Sequence, residues 1–154
     1  WQLGGDIKWY SISGTPASGT PPATTTMAYQ GTGDVYVYTV QGIGTGLISK
    51  RDVSVLSLSY LTGQTYDGES IAFNNRTLLQ DQWTFDLSLR YYQQKDNLGT
   101  DLTRLTPIVR VGYRWRDKIT FELEAGIEKG QTTSSTSTED TTRNFYSLGY
   151  RWDF

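Results

Sequence analysis

The residues best suited to chemistry are arginines and carboxylates that recur at alternate positions of neighbouring segments. An arginine-bearing segment (110–116) is followed, after a short polar turn, by a glutamate-bearing segment (122–128). Opposite charges that face each other across two antiparallel strands attract, so this spacing predicts a cross-strand ion-pair network on one face of a sheet. The charges predicted to share that face are Asp6, Lys8, Asp86, Arg90, Arg110, Arg114, Arg116, Glu122, Glu124, Glu128, Arg151 and Asp153.

Acid–base catalysis by these carboxylates would require one of them to hold a proton, and neighbouring arginines favour the ionised form instead. The chain contains no histidine and no cysteine. This removes Ser–His and Asp–His pairs, the usual zinc ligands and disulfides. The sequence therefore predicts no catalytic residue, no cofactor and no metal site.

The composition excludes several further classes of protein. The 154 residues suffice for one domain, 1–154. No stretch approaches the roughly 18 consecutive apolar residues that a transmembrane helix requires. The net charge of −2, with acidic and basic residues interspersed, provides no basic surface for nucleic acid.

Apolar and polar residues alternate most clearly in the second half of the chain, which predicts strands with one apolar face. The apolar positions are Trp83, Phe85, Leu87, Leu89 and Tyr91; Leu105, Pro107, Val109, Val111, Tyr113 and Trp115; Ile119, Phe121, Leu123, Ala125 and Ile127; and Tyr146, Leu148, Tyr150, Trp152 and Phe154.

The first half of the chain alternates less regularly. Strands are predicted there at 1–9, Val35–Ser49, Val53–Gln64 and Ser70–Leu79. Within the third of these, the alternation changes phase between Val55 and Leu56, which predicts a β-bulge.

The connections between these strands fall on two predicted rims. The outer loops are Gly14–Asp34, Thr65–Glu69, Lys95–Asp101 and Gly130–Thr142. The inner turns are Lys50–Asp52, Gln80–Gln82 and Arg116–Lys118. Outer-membrane barrels have short periplasmic turns and longer extracellular loops, so this pattern predicts a periplasmic C-terminus and long loops outside the cell.

Aromatic residues on the apolar face cluster near the strand ends, where membrane proteins place aromatic girdles. In lipid no backbone polar group can remain unpaired, so membrane-spanning strands must close into a barrel. The sequence thus predicts an all-β fold, a transmembrane antiparallel β-barrel with about eight strands in this chain. It is either a complete small barrel or the terminal part of a larger one.

The last strand resembles the C-terminal targeting strand of bacterial outer-membrane proteins. The resemblance rests on Leu148, Tyr150, Trp152 and the terminal Phe154. It implies recognition by the barrel-assembly machinery, and residence in the bacterial outer membrane with lipid and lipopolysaccharide as partners.

Scattered motifs along the chain resemble the C-terminal region of large tetratricopeptide-repeat outer-membrane proteins of proteobacteria. They are WQLGGDIKW (1–9), IGTGLISKRD (43–52), SYLTGQTYDG (59–68), the DN at 96–97, LTRLTP (102–107), YRWRD (113–117) and FYSLGYRWDF (145–154). The family implies a periplasmic repeat domain and further N-terminal strands outside this chain, and in some relatives the export of polysaccharides.

Three functions follow in order of preference. The first is a non-enzymatic membrane anchor or pore, the C-terminal part of a larger repeat-containing protein involved in export or surface assembly. The second is a complete, closed eight-stranded barrel of the OmpA or OmpX type with a structural or adhesive role. The third is an outer-membrane enzyme, which the absence of histidine disfavours.

The C-terminal pattern predicts an assembly defect. Deleting Phe154, or changing Trp152 and Phe154 to Asp, should sharply reduce the amount of folded protein in outer-membrane fractions, because the targeting strand loses its aromatic face. Heat-dependent mobility on a gel measures the folded fraction. Wild-type yields from both variants would contradict the prediction.

Overall fold

The structure, a computed structural model, describes residues 2–12, 33–116 and 118–152. These residues contain no helix that is long and apolar enough to cross a membrane. They form the strands β1 (Gln2–Ile12), β2 (Gly33–Thr45), β3 (Asp52–Gly63), β4 (Tyr66–Leu79), β5 (Trp83–Asp96), β6 (Asp101–Trp115), β7 (Ile119–Thr133) and β8 (Thr138–Trp152).

The strands form one antiparallel sheet in chain order from β1 to β8. The prediction of eight strands is therefore confirmed. Within the described ranges, β1 pairs with β2 alone and β8 with β7 alone. The first and last strands thus form no ladder with each other there.

The register of the strands separates two faces. Trp83 pairs with Tyr113, which lies opposite Phe121 of the next strand. Because side chains alternate along a strand, the predicted apolar positions of β5–β7 all lie on this side, called here the outer face. The charged positions between them lie on the opposite side, the inner face.

The outer face carries most of the exposed apolar side chains. Leu123 is 54% exposed and Leu148 is 81% exposed. Among the described residues, Val35 is the one hydrophobic residue that is buried. A sheet with its apolar side chains outward and its charges inward is stable when lipid covers the outer face.

Aromatic residues mark the rim formed by the β4–β5 and β6–β7 turns. The ring centroids of Trp83 and Tyr113 lie 4.5 Å apart, within the range of favourable aromatic pairs. The guanidinium carbon of Arg116 lies 4.9 Å from the Trp115 ring centroid. Such amphipathic rings suit the boundary between hydrocarbon and headgroups.

The predicted loop Gly130–Thr142 is wrong. Strand β7 continues to Thr133 and β8 begins at Thr138, so the connection is only 134–137. Beyond the apolar band, both faces of this hairpin carry Thr, Ser, Gln and acidic residues. The sequence therefore shows no alternation there, although threonine favours strands.

The other outer connections are also short. Strand β4 begins at Tyr66 rather than after the predicted loop Thr65–Glu69. The loop predicted at Lys95–Asp101 is shorter than predicted, because β5 runs to Asp96 and β6 begins at Asp101, which leaves the turn 97–100. Asp34 belongs to β2, and the rest of the predicted loop Gly14–Asp34, up to residue 32, lies outside the described residues.

Two of the three predicted inner turns are confirmed. They are Gln80–Gln82 and the connection between Trp115 and Ile119. The turn Lys50–Asp52 is wrong, because β2 ends at Thr45 and the turn spans 46–51. The carboxylate of Asp52 binds backbone amides of this turn, which ends the ladder earlier than the alternation suggests.

The predicted bulge between Val55 and Leu56 is wrong as well. Val55 pairs with Ile43 and Leu56 with Gly42, without an extra residue on either strand. The phase change instead reflects polar residues at outer-face positions of β3. Ser54 occupies such a position, and apolar Val53 and Val55 lie on the inner face.

The two faces predict opposite responses to a new charge. Leu123→Arg should reduce the free energy of unfolding by about 2–4 kcal/mol, because it places a cation in hydrocarbon. Ser147→Arg, on the inner face of β8, is the matched control and should change stability little. Urea titration in lipid vesicles measures both, and equal losses would mean that the faces are assigned incorrectly.

Candidate functional site: the charged inner face

A row of alternating charges crosses the inner face from β4 to β7. Arg76 pairs in register with Asp86, which lies opposite Arg110, which lies opposite Glu124. Facing positions on adjacent strands bring Cβ atoms to about 4.5–5.5 Å. Each charge in the row therefore has an opposite charge as a cross-strand neighbour.

The contacts in this row differ in strength. The Nε atom of Arg110 donates to Glu124 Oε2 at 2.9 Å, and its Nη2 atom donates to the same oxygen. Arg76 Nε lies 3.5 Å from Asp86 Oδ1, an ion pair without a hydrogen bond. That Asp86 oxygen is buried and accepts no hydrogen bond from the described residues.

Two further charge pairs lie outside this row, one between β6 and β7 and one on the edge strand β1. Arg104 Nε lies 3.9 Å from Glu128 Oε1 on the inner face. Lys8 Nζ lies 3.3 Å from Asp6 Oδ2 on β1. The side chains of this second pair are 61% and 46% exposed, so it is a solvated pair of little energetic weight.

The row of charges borders a cavity of about 620 Å³ on the inner face. Its walls combine the charged row with the apolar side chains of Val53, Val55 and Ile108 and the guanidinium of Arg90. A second cavity of about 410 Å³ lies towards the β4–β5 turn and is lined by Arg114, Glu122 and Arg151 among others. The inner face therefore borders open space and combines charged with apolar side chains.

The structure brings most of the predicted charges onto this face. The register places Asp6, Lys8, Asp86, Arg90, Arg110, Arg114, Glu122, Glu124, Glu128 and Arg151 on the inner face. Asp153 lies outside the described residues. Whether these charges line an aqueous lumen remains a prediction.

Arg116 is the exception. It lies in the turn after β6 with a φ of 52°, and its guanidinium stacks over the Trp115 ring. The strand ends at Trp115, so the two-residue period no longer determines where this side chain points. The assignment of Arg116 to the row of charges is corrected accordingly.

Sequence reasoning missed Arg76, because alternation in Ser70–Leu79 is too weak to assign its faces. It also missed a polar cluster on the outer face, formed by Asp52, Ser54, Asn75 and Thr77. The phase change in β3 was the available signal. It marks polar residues where apolar ones are expected.

The residues of the predicted assembly signal lie on the outer face as far as they are described. Leu148, Tyr150 and Trp152 are 81%, 76% and 56% exposed. Phe154 lies outside the described residues. Their recognition by an assembly machinery remains a prediction.

An antiparallel sheet with an apolar outer face and a charged inner face defines the class of outer-membrane β-barrel proteins. No protein-family model matches the chain, and no curated protein matches its sequence. The fold is similar to that of in-vitro folded OmpT, an outer membrane protein of Vibrio cholerae, with a TM-score of 0.64. It is also similar to outer-membrane expressed OmpT of Vibrio cholerae, with a TM-score of 0.60.

Both solved structures have 17% sequence identity to this chain, and each match covers 97% of this chain and 50% of the solved chain. The chain thus spans about half the length of the protein whose fold it shares. At this identity the likeness establishes the fold.

The ion pair between Arg110 and Glu124 distinguishes an open inner face from a dry one. Arg110→Gln and Glu124→Gln, alone and together, should give a coupling energy of at most about 1 kcal/mol, as expected for solvated pairs. The reason is that half of the Arg110 side chain is exposed. In a closed, dry interior, removing one partner should cost about 3–5 kcal/mol. Urea unfolding of the four proteins in vesicles decides between these outcomes.

Proposed function

We propose that this chain forms part of the wall of a water-filled β-barrel in the bacterial outer membrane. Its outer face contacts lipid and its inner face borders the lumen. The observation that carries the proposal is the solvated inner face: the side chains of Arg76 and Arg110 are 69% and 50% exposed beside open cavities. Charges in such a wall face water and ions rather than packed protein.

The barrel is wider than eight strands. An eight-stranded barrel has an interior that side chains just fill, whereas the inner face here borders cavities of about 620 and 410 Å³. Strands β1 and β8 are also unpaired with each other in the described ranges. A membrane sheet leaves no edge unpaired, so further strands complete the barrel. The half-length match to the two structures of one outer-membrane protein supports this width.

The finer role is that of a non-enzymatic anchor or pore in export or surface assembly. The motif resemblance to repeat-containing outer-membrane proteins supports it, and an open charged wall suits the passage of a hydrated polymer. The small closed barrel with an adhesive role is the less favoured alternative, because it requires a ladder between β1 and β8. The C-terminus lies in the periplasm, and the β7–β8 hairpin projects outside the cell.

The inner face of β4–β8 carries both signs of charge. These residues are Arg76, Arg90, Arg104, Arg110, Arg114, Arg143 and Arg151 with Asp86, Asp96, Glu122, Glu124, Glu128 and Glu139. Among them, Arg90 lies between Ala72 and Thr106 and has no acidic cross-strand neighbour. Its charge is therefore available to ions in the lumen.

Planar-bilayer recording tests the proposal directly. The full-length protein should form conducting channels, and Arg90→Glu should shift the reversal potential in a salt gradient towards cation selectivity, because it reverses an inner-face charge that has no carboxylate directly opposite it. Arg116→Glu, which makes the same change in the rim turn, is the control and should shift the reversal potential far less. Absence of conductance, or equal shifts in both variants, would contradict the proposed lumen.

A further inference from the structure

The outer face contains one cluster of buried polar side chains among the described residues. Asp52 and Ser54 are 3% exposed, Asn75 is 5% exposed and Thr77 is 7% exposed. Further along the same face of β3, Leu56 is 45% exposed. Another segment of the protein therefore covers the polar cluster, while the apolar side chains further along the outer face remain exposed.

The β2–β3 turn, residues 46–51, provides this cover. The backbone amides of Leu47, Ile48 and Ser49 donate to the Asp52 carboxylate at 2.9, 2.6 and 3.2 Å. The Asp52 side chain belongs to the outer face, because it precedes Ser54 and Leu56 in the two-residue period. The turn consequently lies against the outer face and not across the mouth of the lumen.

The cluster beneath the turn is connected internally. Asn75 Nδ2 donates to Asp52 Oδ2 at 3.1 Å and to Ser54 Oγ at 2.7 Å. Thr77 Oγ1 donates to Asn75 Oδ1 at 2.8 Å. A hydrogen-bonded network of this kind lowers the cost of removing polar groups from water.

The carboxylate of Asp52 lies at the centre of this network. It accepts hydrogen bonds from the amides of Leu47, Ile48 and Ser49 and from the side chain of Asn75. Hydrogen bonds to a carboxylate are stronger than those between neutral groups. The turn is therefore held firmly against the outer face.

The outward side of the turn combines apolar and basic residues. Leu47 and Ile48 are 47% and 63% exposed, and Lys50 is exposed beside them. Arg51 pairs with Asp81 of the neighbouring β4–β5 turn, and its carbonyl accepts a hydrogen bond from the Leu78 amide at 3.0 Å. The apolar surface of Leu47 and Ile48 thus extends the apolar outer face towards the rim.

The geometry points to the turn 46–51 as a membrane-interface anchor whose partner is a phospholipid surface. Leu47 and Ile48 enter the acyl chains of the adjacent leaflet, and the Lys50 ammonium contacts headgroup phosphates. The inference rests on the proposed function, because it requires lipid around the outer face. Its specific support is the position of the turn on that face, fixed by the carboxylate of Asp52.

The opposite rim offers a matched comparison. Asp96 Oδ1 accepts hydrogen bonds from the amides of Leu98 and Thr100 at 2.9 and 2.7 Å, and Leu98 is 89% exposed. Asp96 follows the inner-face residues of β5, however, and no buried polar cluster lies beneath its turn among the described residues. Leu98 is therefore expected to remain in water.

Site-directed fluorescence tests the anchor, and none of the 154 residues of this chain is a cysteine that the label would also modify. Ile48→Cys, Leu98→Cys and Leu123→Cys variants of the full-length protein are labelled with nitrobenzoxadiazole and inserted into phosphatidylcholine vesicles with nitroxide on the acyl chains. The label at position 48 should lose fluorescence as the label at 123 does, and the label at 98 should not. Quenching at 123 without quenching at 48 would overturn the anchor while leaving the membrane wall intact. Absence of quenching at 123 would instead refute the proposed function.

A second pair of variants tests the role of the polar cluster. Asp52→Ala in the Ile48→Cys protein should abolish most of the nitroxide quenching at position 48, because the turn loses the acceptor of its three amides. Asp96→Ala is the control and should leave that quenching unchanged. Quenching at 123 reports in each protein that the sheet is still inserted. Full quenching at 48 after Asp52→Ala, with 123 also quenched, would show that the carboxylate does not position the turn.

Discussion

Every peptide group that enters hydrocarbon must find its hydrogen-bond partner within the protein, because lipid offers none. The order of this sheet follows from that constraint. Each strand from β2 to β7 pairs with its chain neighbours on both sides. From β2 to β8 the connections have two to six residues, which keeps these neighbours adjacent. Pro107 shows that a single missing backbone donor is tolerated. The ladder between β6 and β7 skips Thr106 and Pro107, yet the register is the same on either side, because one missing donor interrupts a ladder without shifting it.

The same constraint separates the two faces. Once the backbone is satisfied within the sheet, the side chains decide which side lipid covers, and the apolar positions of β5–β8 leave little choice. The inner face can then carry charges at low cost only if water reaches them or if opposite charges face each other. The row from Arg76 to Glu124 meets both conditions, since its members alternate in sign and its side chains remain partly exposed. An interior of this kind is adapted to solvent rather than to packing.

The outer face beside the β2–β3 turn departs from this separation of an apolar outer face and a charged inner face. Asp52, Ser54, Asn75 and Thr77 place polar groups on the side that lipid covers elsewhere, and the turn 46–51 folds back to satisfy and bury them. The polar cluster on the outer face is thus covered by the turn that adjoins it. The cost is a longer turn and a shorter β2 than alternation predicts, and the result is an apolar edge formed by Leu47 and Ile48.

The sequence by itself determined the fold class, the strand count and the two faces of β5–β8. The reason is that the alternation of apolar and polar residues can be read within one strand, whichever strands pair with it. It also located most of the inner-face charges. It did not identify Arg76 on the inner face or the polar cluster on the outer face, because the alternation of β3 and β4 is irregular there. Tertiary structure alone decided which charges face each other, since register is set by pairing between distant residues. It alone extended β7 and β8 to Thr133 and Thr138, because polar strands beyond the apolar band give no periodic signal. It alone explained the phase change in β3, where a turn buries Ser54 and Asp52 and makes polar residues stable on an outer face.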